Sequence, residues 1–171
     1  MDKLIKVFWD MCLLRRAPQD VPRSQIITGG ALLAYAILSF CGVLLRLPPE
    51  SALLFAVIDA GLLIAFTLGA LWIRFLSNRW QQTLAAMAGT GAVLEAVALP
   101  VFYWQTQVAN SQLEAMPVFV LWLLMIWNLA VVANIMRHSL NVPMLISGVF
   151  SLLYIYLSLR VLGTIFFMEP R

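Results

Sequence analysis

The sequence predicts an all-α integral membrane protein built as a bundle of five transmembrane helices. Of its 171 residues, 63% are hydrophobic and only 11% are charged, whereas a soluble domain carries about 25% charged residues. The mean hydropathy is +0.92. Five apolar runs reach the roughly 20 residues that a helix needs to cross the hydrocarbon core of a bilayer. Composition therefore sets the class of protein, and the apolar runs set the number of spans.

Short polar links separate the five runs, so the chain forms one compact domain rather than two. The first run ends at Pro48 and Pro49, which cannot continue a helix from its interior. The predicted spans cover residues 25–47, 52–76, 82–104, 116–136 and 142–167, and a leader of residues 1–24 precedes them.

The positions of Lys and Arg predict the orientation in the membrane. Basic residues concentrate in cytoplasmic loops, and eight of them fall on the leader side of the spans: Lys3, Lys6, Arg15, Arg16, Arg23, Arg74, Arg79 and Arg137. Only Arg46 and Arg171 fall on the other side. We therefore expect a cytoplasmic N-terminus and an external C-terminus. The net charge of +3 is spread between apolar runs, so nucleic acid is not an expected partner.

The leader has the pattern of an amphipathic helix. Leu4, Phe8 and Cys12 recur every four residues, with Ile5 and Trp9 beside them. This pattern predicts a short interfacial helix on the cytoplasmic headgroups, and its basic residues would lie near anionic lipid. These predicted membrane-surface residues are Lys3, Lys6, Arg15 and Arg16. The alternative is a helix that docks a cytoplasmic partner.

Small residues recur at helical spacing in the second and third spans. The stripes are Gly61, Ala65 and Gly69 in the second span and Ala85, Gly89, Ala92 and Ala96 in the third. Because small residues let helix backbones approach closely in a membrane, these stripes predict a tight hairpin of spans two and three. The same stripes can instead face another subunit.

Three ionisable residues, Asp59, Glu95 and Arg160, lie inside spans. Counted along the helices at 1.5 Å per residue, all three lie about 10 to 13 Å from the same boundary. A charge facing lipid costs at least about 2.5 kcal/mol, so we expect all three to face the interior. Arg160 would lie between the two carboxylates because a guanidinium can bind two acceptors. The cluster can lock helix register, handle an ion or proton, or capture a polar lipid or substrate group.

Catalytic and metal-binding patterns are not found in the sequence. The single His138 and the separated Cys12 and Cys41 offer no metal site, and we expect the cysteines to act as small apolar residues. No phosphate-binding loop, HExxH or GxSxG pattern occurs. We therefore expect neither an enzyme nor a cofactor, and no soluble substrate is identifiable.

Two segments resemble the short bacterial form of the Yip family of five-span membrane proteins. RWQQTLAAMAGTGAVLEAVALP, with Gln82, Thr83 and Pro100, is similar to the third span of that family, and LWLLMIWNLAVVANIMRHSLNV is similar to the fourth. The likeness extends over about residues 5 to 165. It implies a helical membrane protein without known catalytic chemistry. Eukaryotic members are associated with vesicle traffic and small GTPases through a long cytosolic N-terminal region, which the short leader does not provide.

These observations favour a non-enzymatic protein of the bacterial inner membrane that acts by lateral association. Its expected partners are the lipid bilayer and other membrane proteins or a second copy, and its role would be that of a scaffold, assembly factor or small subunit. The alternative is a small ion- or proton-coupled carrier, or a lipid-handling protein, that uses Asp59, Glu95 and Arg160.

Overall fold

A computed structural model describes residues 2–109 and 113–166, apart from the side chains of residues 2 and 3. Within these ranges the chain forms six α-helices and no strand, and five of the helices are long and apolar enough to cross a membrane. The prediction of an all-helical chain with five long apolar helices is thereby confirmed. The helices are α1 (Asp2–Cys12), α2 (Gln25–Leu44), α3 (Pro49–Ile73), α4 (Trp80–Gln107), α5 (Ala115–Leu140) and α6 (Met144–Phe166).

The observed helix ends differ from the predicted span limits by a few residues, for local reasons. α3 begins at Pro49, because the first position of a helix needs no backbone donor and suits proline. α5 continues to Leu140 and ends at Asn141, whose backbone is left-handed with φ 52°; asparagine tolerates this geometry at a helix end. α4 runs on through Pro100 to Gln107. The predicted limit at Phe167 lies outside the described residues.

α4 is the centre of the bundle, and it packs most extensively against α2. The Thr28 hydroxyl donates to the Gln81 carbonyl at 3.2 Å near one end, and Arg46 donates to Gln105 near the other. Between them the ring of Tyr35 lies directly over Gly91. Because the contacts advance in the same order along both helices, α2 and α4 run parallel.

The predicted tight hairpin of spans two and three is wrong. Gly61 and Ala65 on α3 are exposed, and a Cβ added at Gly61 or Gly69 would meet no atom within 4 Å. On α4, Ala85 and Gly89 are buried, but Gly89 is covered by an aromatic ring rather than by the α3 backbone. Small residues at helical spacing show where a close approach is allowed, without showing which element makes it. The alternative of a second subunit against the α3 stripe stays open.

The leader helix α1 docks on α4 and α5. The Phe8 ring fills the space over Gly89, where an added Cβ would come within 2.5 Å of it. The indole N–H of Trp127 donates to the Cys12 carbonyl at 2.7 Å, and the Cys12 sulfur lies 3.8 Å from the Thr90 carbonyl oxygen. Thr90 is ten residues into α4, or about 15 Å from its beginning. The leader thus reaches deep along the bundle.

The remaining leader residues leave room for a lipid contact. Ile5 and Trp9 are exposed, as are Lys6, Arg15 and Arg16, while the Lys3 side chain lies outside the described residues. Arg16 Nε pairs with Asp10 at 3.2 Å. Protein thus covers part of the apolar face of α1, and the interfacial location of its exposed side stays a prediction.

The bundle is tightly packed at one end only. We call this the basic end, because Arg23, Arg79 and Arg137 lie there. At this end α2 and α4 begin, and α3 and α5 end. Gln82 bridges to the loop after the leader through Val21 at 2.9 Å and Arg23 at 3.2 Å. In α5 the fully buried residues cluster between 131 and 140, whereas within residues 115–130 only Pro117 is fully buried. Towards the opposite end the helices therefore leave open space.

Candidate functional site

That space is a cavity of about 440 Å³ bordered by helices α2 to α6. Along α4 it reaches from Met87 to Phe102, a distance of about 22 Å at the helical rise. Its polar lining consists of Tyr35, Asp59, Glu95, Asn128, Tyr154 and Ser158, and the remaining lining is apolar or glycine. Binding sites for small molecules have this volume and this mixture of apolar walls and few polar groups.

Asp59 is fixed in the wall of the cavity by hydroxyl groups from two other helices. The Tyr35 hydroxyl donates to Asp59 Oδ2 at 2.6 Å and that of Ser39 at 3.3 Å, both from α2. The Ser158 hydroxyl of α6 donates to Oδ1 at 3.4 Å. The side chain is buried, with 6% of the residue exposed. Because a buried carboxyl group needs such partners, these bonds hold α2, α3 and α6 together around Asp59.

Glu95 lines the same cavity but is held by no comparable contacts. Among residues 2–109 and 113–166, no side chain or backbone group forms a hydrogen bond or ion pair with its carboxyl group. Gly42 leaves space beside it, since a Cβ there would lie 3.7 Å from Glu95 Oε2. Glu95 and Asp59 line the same cavity from two different helices. Glu95 is therefore the carboxyl group that is available to a ligand.

The predicted position of Arg160 between the two carboxylates is wrong. Arg160 is exposed and forms no ion pair with a described residue. The inner face of α6 carries Ser151, Tyr154, Ser158 and Leu162 at steps of three and four residues. Arg160 follows Ser158 by two residues and so points about 200° away around the helix. Equal depth along the helices did not fix which way the side chain faces.

Sequence reasoning missed the hydroxyl groups that partner Asp59. Tyr35 and Ser39 lie on the buried face of α2 with Thr28, Ala31 and Gly42. Polar or small residues at steps of three and four in an apolar span are the signal for such a face. The same signal runs through Ser147 and Ser151 on α6.

Among the residues that the structure describes, the cavity lining contains no basic side chain. Arg46 stacks over the Phe102 ring at 5.1 Å from the ring centroid and donates a hydrogen bond to Gln105, which lies outside the cavity. Over the same residues, no group of three or more His, Cys, Asp or Glu side chains could hold a metal ion. The arrangement therefore offers an organic or inorganic cation two carboxyl groups and several aromatic faces.

No protein-family model, curated protein or solved structure matches the chain. The resemblance to the Yip family therefore stays a prediction.

Proposed function

We propose that the protein binds organic cations inside the membrane and acts as a small carrier for them. The observation that supports this most directly is the Glu95 carboxyl group, which has no partner within residues 2–109 and 113–166 and lines a cavity with no basic residue in its described lining. Carboxyl groups inside membrane spans are costly and usually mark a pathway for ions or substrates. A bound cation would balance this negative charge, which no basic side chain of the lining does.

The other lining residues favour an organic cation over a hydrated inorganic ion. Phe55, Phe102, Tyr35 and Tyr154 present aromatic rings to the cavity, and aromatic faces attract alkylated ammonium groups. Mg²⁺ and Ca²⁺ complete a shell of six or more oxygen ligands with water, and the mostly apolar wall of the cavity offers such waters few hydrogen-bond partners. A quaternary ammonium group needs no such ligand shell and tolerates the apolar wall.

The proposal predicts Glu95-dependent binding of a compact cation. Equilibrium dialysis of benzyltrimethylammonium against the full chain in lipid nanodiscs, with empty nanodiscs subtracted, measures it. We expect Glu95→Gln to weaken binding by about tenfold or more, because a close charge pair in a partly buried site contributes several kcal/mol before desolvation is subtracted. Glu50→Gln, at an exposed position at the start of α3, should leave binding unchanged.

Equal losses in both variants would indicate a general surface charge effect and would contradict the proposal, as would Glu95-independent binding. Transport is measured separately, as counterflow of the same labelled cation into proteoliposomes. Binding without counterflow would restrict the function to capture of the cation.

A second candidate function, lateral association with another membrane protein or a second copy, is favoured by the α3 stripe. Gly61 and Ala65 face outward, with open space over Gly61 and Gly69. We propose the bacterial inner membrane as the location for either function.

A further inference from the structure

We infer that the preferred ligand is a linear amphiphilic amine, whose ammonium group lies at Glu95 and whose alkyl chain lies in the part of the cavity beyond it. This inference rests on the proposed function and specifies its substrate class. The evidence is the shape of the cavity and the unequal burial of its two ends.

The carboxyl groups lie midway along the cavity. Glu95 is eight residues after Met87 and seven before Phe102, which are the lining residues at the two ends of the α4 wall. The cavity therefore extends about 10 to 12 Å from Glu95 in each direction along α4. A volume of about 440 Å³ over a total of about 22 Å leaves a slender space. Such a space suits a single chain better than a broad ring system.

The part of the cavity towards the basic end is closed. Leu63, Met87 and Val132 border it and are almost completely buried. They lie on three different helices, all of which pack tightly there. The cavity therefore ends against the packed core about 12 Å from Glu95, and a ligand chain in this direction could not reach the bundle surface without displacing that core, which is costly.

The part towards Phe102, which we call the apolar limb, has no charged side chain in its described lining. It is bordered by Phe55, Ala98, Phe102, Leu121, Leu162 and Gly163. A Cβ added at Gly163 would meet no atom within 4 Å, so empty space lies against the α6 backbone. Phe55, Phe102 and Leu121 are only partly buried, so the limb is less closed than the part towards the basic end. Leu159, the one exposed residue of the described lining at 62% exposure, follows Ser158, so the cavity reaches the outer face of the bundle near the level of Asp59.

An amphiphile bound with its ammonium group at Glu95 and its alkyl chain in the limb would match the polar middle and the apolar limb of the cavity together. Its ammonium group would contact Glu95, where the cavity is polar, and its chain would replace the empty space of the limb with apolar contacts. An extended chain of about 10 Å is roughly an octyl chain at the usual advance per bond. A short or inorganic cation would leave the limb unfilled and gain nothing from it.

The test is a series of n-alkyltrimethylammonium ions from butyl to dodecyl, measured by equilibrium dialysis with the full chain in nanodiscs. On the scale of free aqueous concentration, we expect affinity to rise about threefold to fourfold per methylene and to level off near octyl. The uptake of each cation by empty nanodiscs measures its partition into lipid and is subtracted. Affinity that does not change with chain length would overturn the inference.

Gly163→Leu fills the limb, and Gly148→Leu is its matched control. Both glycines lie on α6 with open space around them, but only Gly163 lines the cavity. We expect Gly163→Leu to weaken octyltrimethylammonium binding about tenfold or more, with a smaller effect on benzyltrimethylammonium, and Gly148→Leu to change neither. Equal effects of the two variants would overturn the inference. Loss of Glu95 dependence for every cation would instead overturn the proposed function, so the two failures are distinguishable.

Discussion

At the scale of single residues, Asp59 and Glu95 have different surroundings although both are carboxyl groups on one cavity. Asp59 accepts hydrogen bonds from Tyr35, Ser39 and Ser158, so its acceptor positions are largely occupied by the protein itself. Glu95 has no such partner among the described residues. The first carboxyl group therefore serves to hold helices together, and the second remains free to exchange partners.

Removal of the Tyr35 hydroxyl tests whether the hydrogen bonds of Asp59 hold the helices together. We expect Tyr35→Phe to lower the free energy of unfolding by about 1 to 3 kcal/mol, because it removes the 2.6 Å bond to a buried carboxyl group. Unfolding in mixed micelles on titration with sodium dodecyl sulfate, followed by tryptophan fluorescence, measures it. Tyr156→Phe is the control, since Tyr156 is exposed on the same bundle, and it should change stability by less than about 0.5 kcal/mol. A similar loss in both variants would refute the assigned role of Tyr35.

The depth of a residue along its helix could be predicted from the sequence, but its direction around the helix axis could not, so the site was only partly predictable. Counting residues from the span ends brought Asp59 and Glu95 to one level, and the structure places both on the cavity. Arg160 shares that level but lies on the opposite side of α6 from Ser158. A span that is apolar on every side has no contrast between its faces that would indicate the inner one, so only the spacing of its hydroxyl residues contains that information.

At the scale of helices, the leader is the element whose place the sequence indicated least. Its amphipathic pattern predicted a helix, and a helix forms at Asp2–Cys12. Its contacts to Gly89 and Trp127 join residues that are far apart in the chain, and no local pattern specifies them. The span limits, in contrast, follow from local composition and from prolines, and they were predicted to within a few residues.

Cys12 provides a direct readout of leader docking. Burial raises the pKa of its thiol from 9.0 to about 12, and the thiolate is the form that reacts. In a Cys41→Ser background at pH 8, we expect slow alkylation by N-ethylmaleimide and rapid alkylation after denaturation. Gly89→Val should accelerate the reaction in the folded protein by displacing Phe8, whereas Gly148→Val should not, because open space surrounds Gly148.

The raised pKa of the Cys12 thiol determines the direction in which stability changes with pH. The folded state holds the Cys12 proton more tightly than the unfolded state, so this contribution to stability is complete below pH 9 and is lost as the pH rises towards 12. Rapid alkylation of Cys12 in the folded protein without the Gly89→Val change would contradict the docked position.

At the scale of the whole molecule, the described bundle has a closed end and an open end, and α3 has a face of small residues that no described helix covers. The basic residues Arg23, Arg79 and Arg137 gather at the closed end, where the positive-inside rule would place the cytoplasm. A cytoplasmic N-terminus stays a prediction, and with it the cavity would open towards the outer half of the membrane. The uncovered face is that of α3 around Ala65.

Cross-linking tests whether that face meets a second protein. In a background without Cys12 and Cys41, we expect Ala65→Cys to give a cross-linked species in native membranes under copper-phenanthroline oxidation, because small residues allow close helix contact. Val149→Cys on the exposed side of α6 is the matched control and should remain monomeric. A monomeric Ala65→Cys protein, or equal cross-linking of both variants, would refute lateral association through α3.

The docked leader also has a consequence for the order of biosynthesis. Phe8 packs over Gly89, and Cys12 accepts a bond from Trp127, so the surface that receives the leader is completed only after more than a hundred further residues have been made. At about 5 to 20 residues per second, the leader waits on the order of ten seconds. Until then its apolar side is at most partly covered by protein, and its amphipathic pattern suits the membrane surface. We therefore expect the leader to lie on lipid first and to dock between the third and fourth spans afterwards.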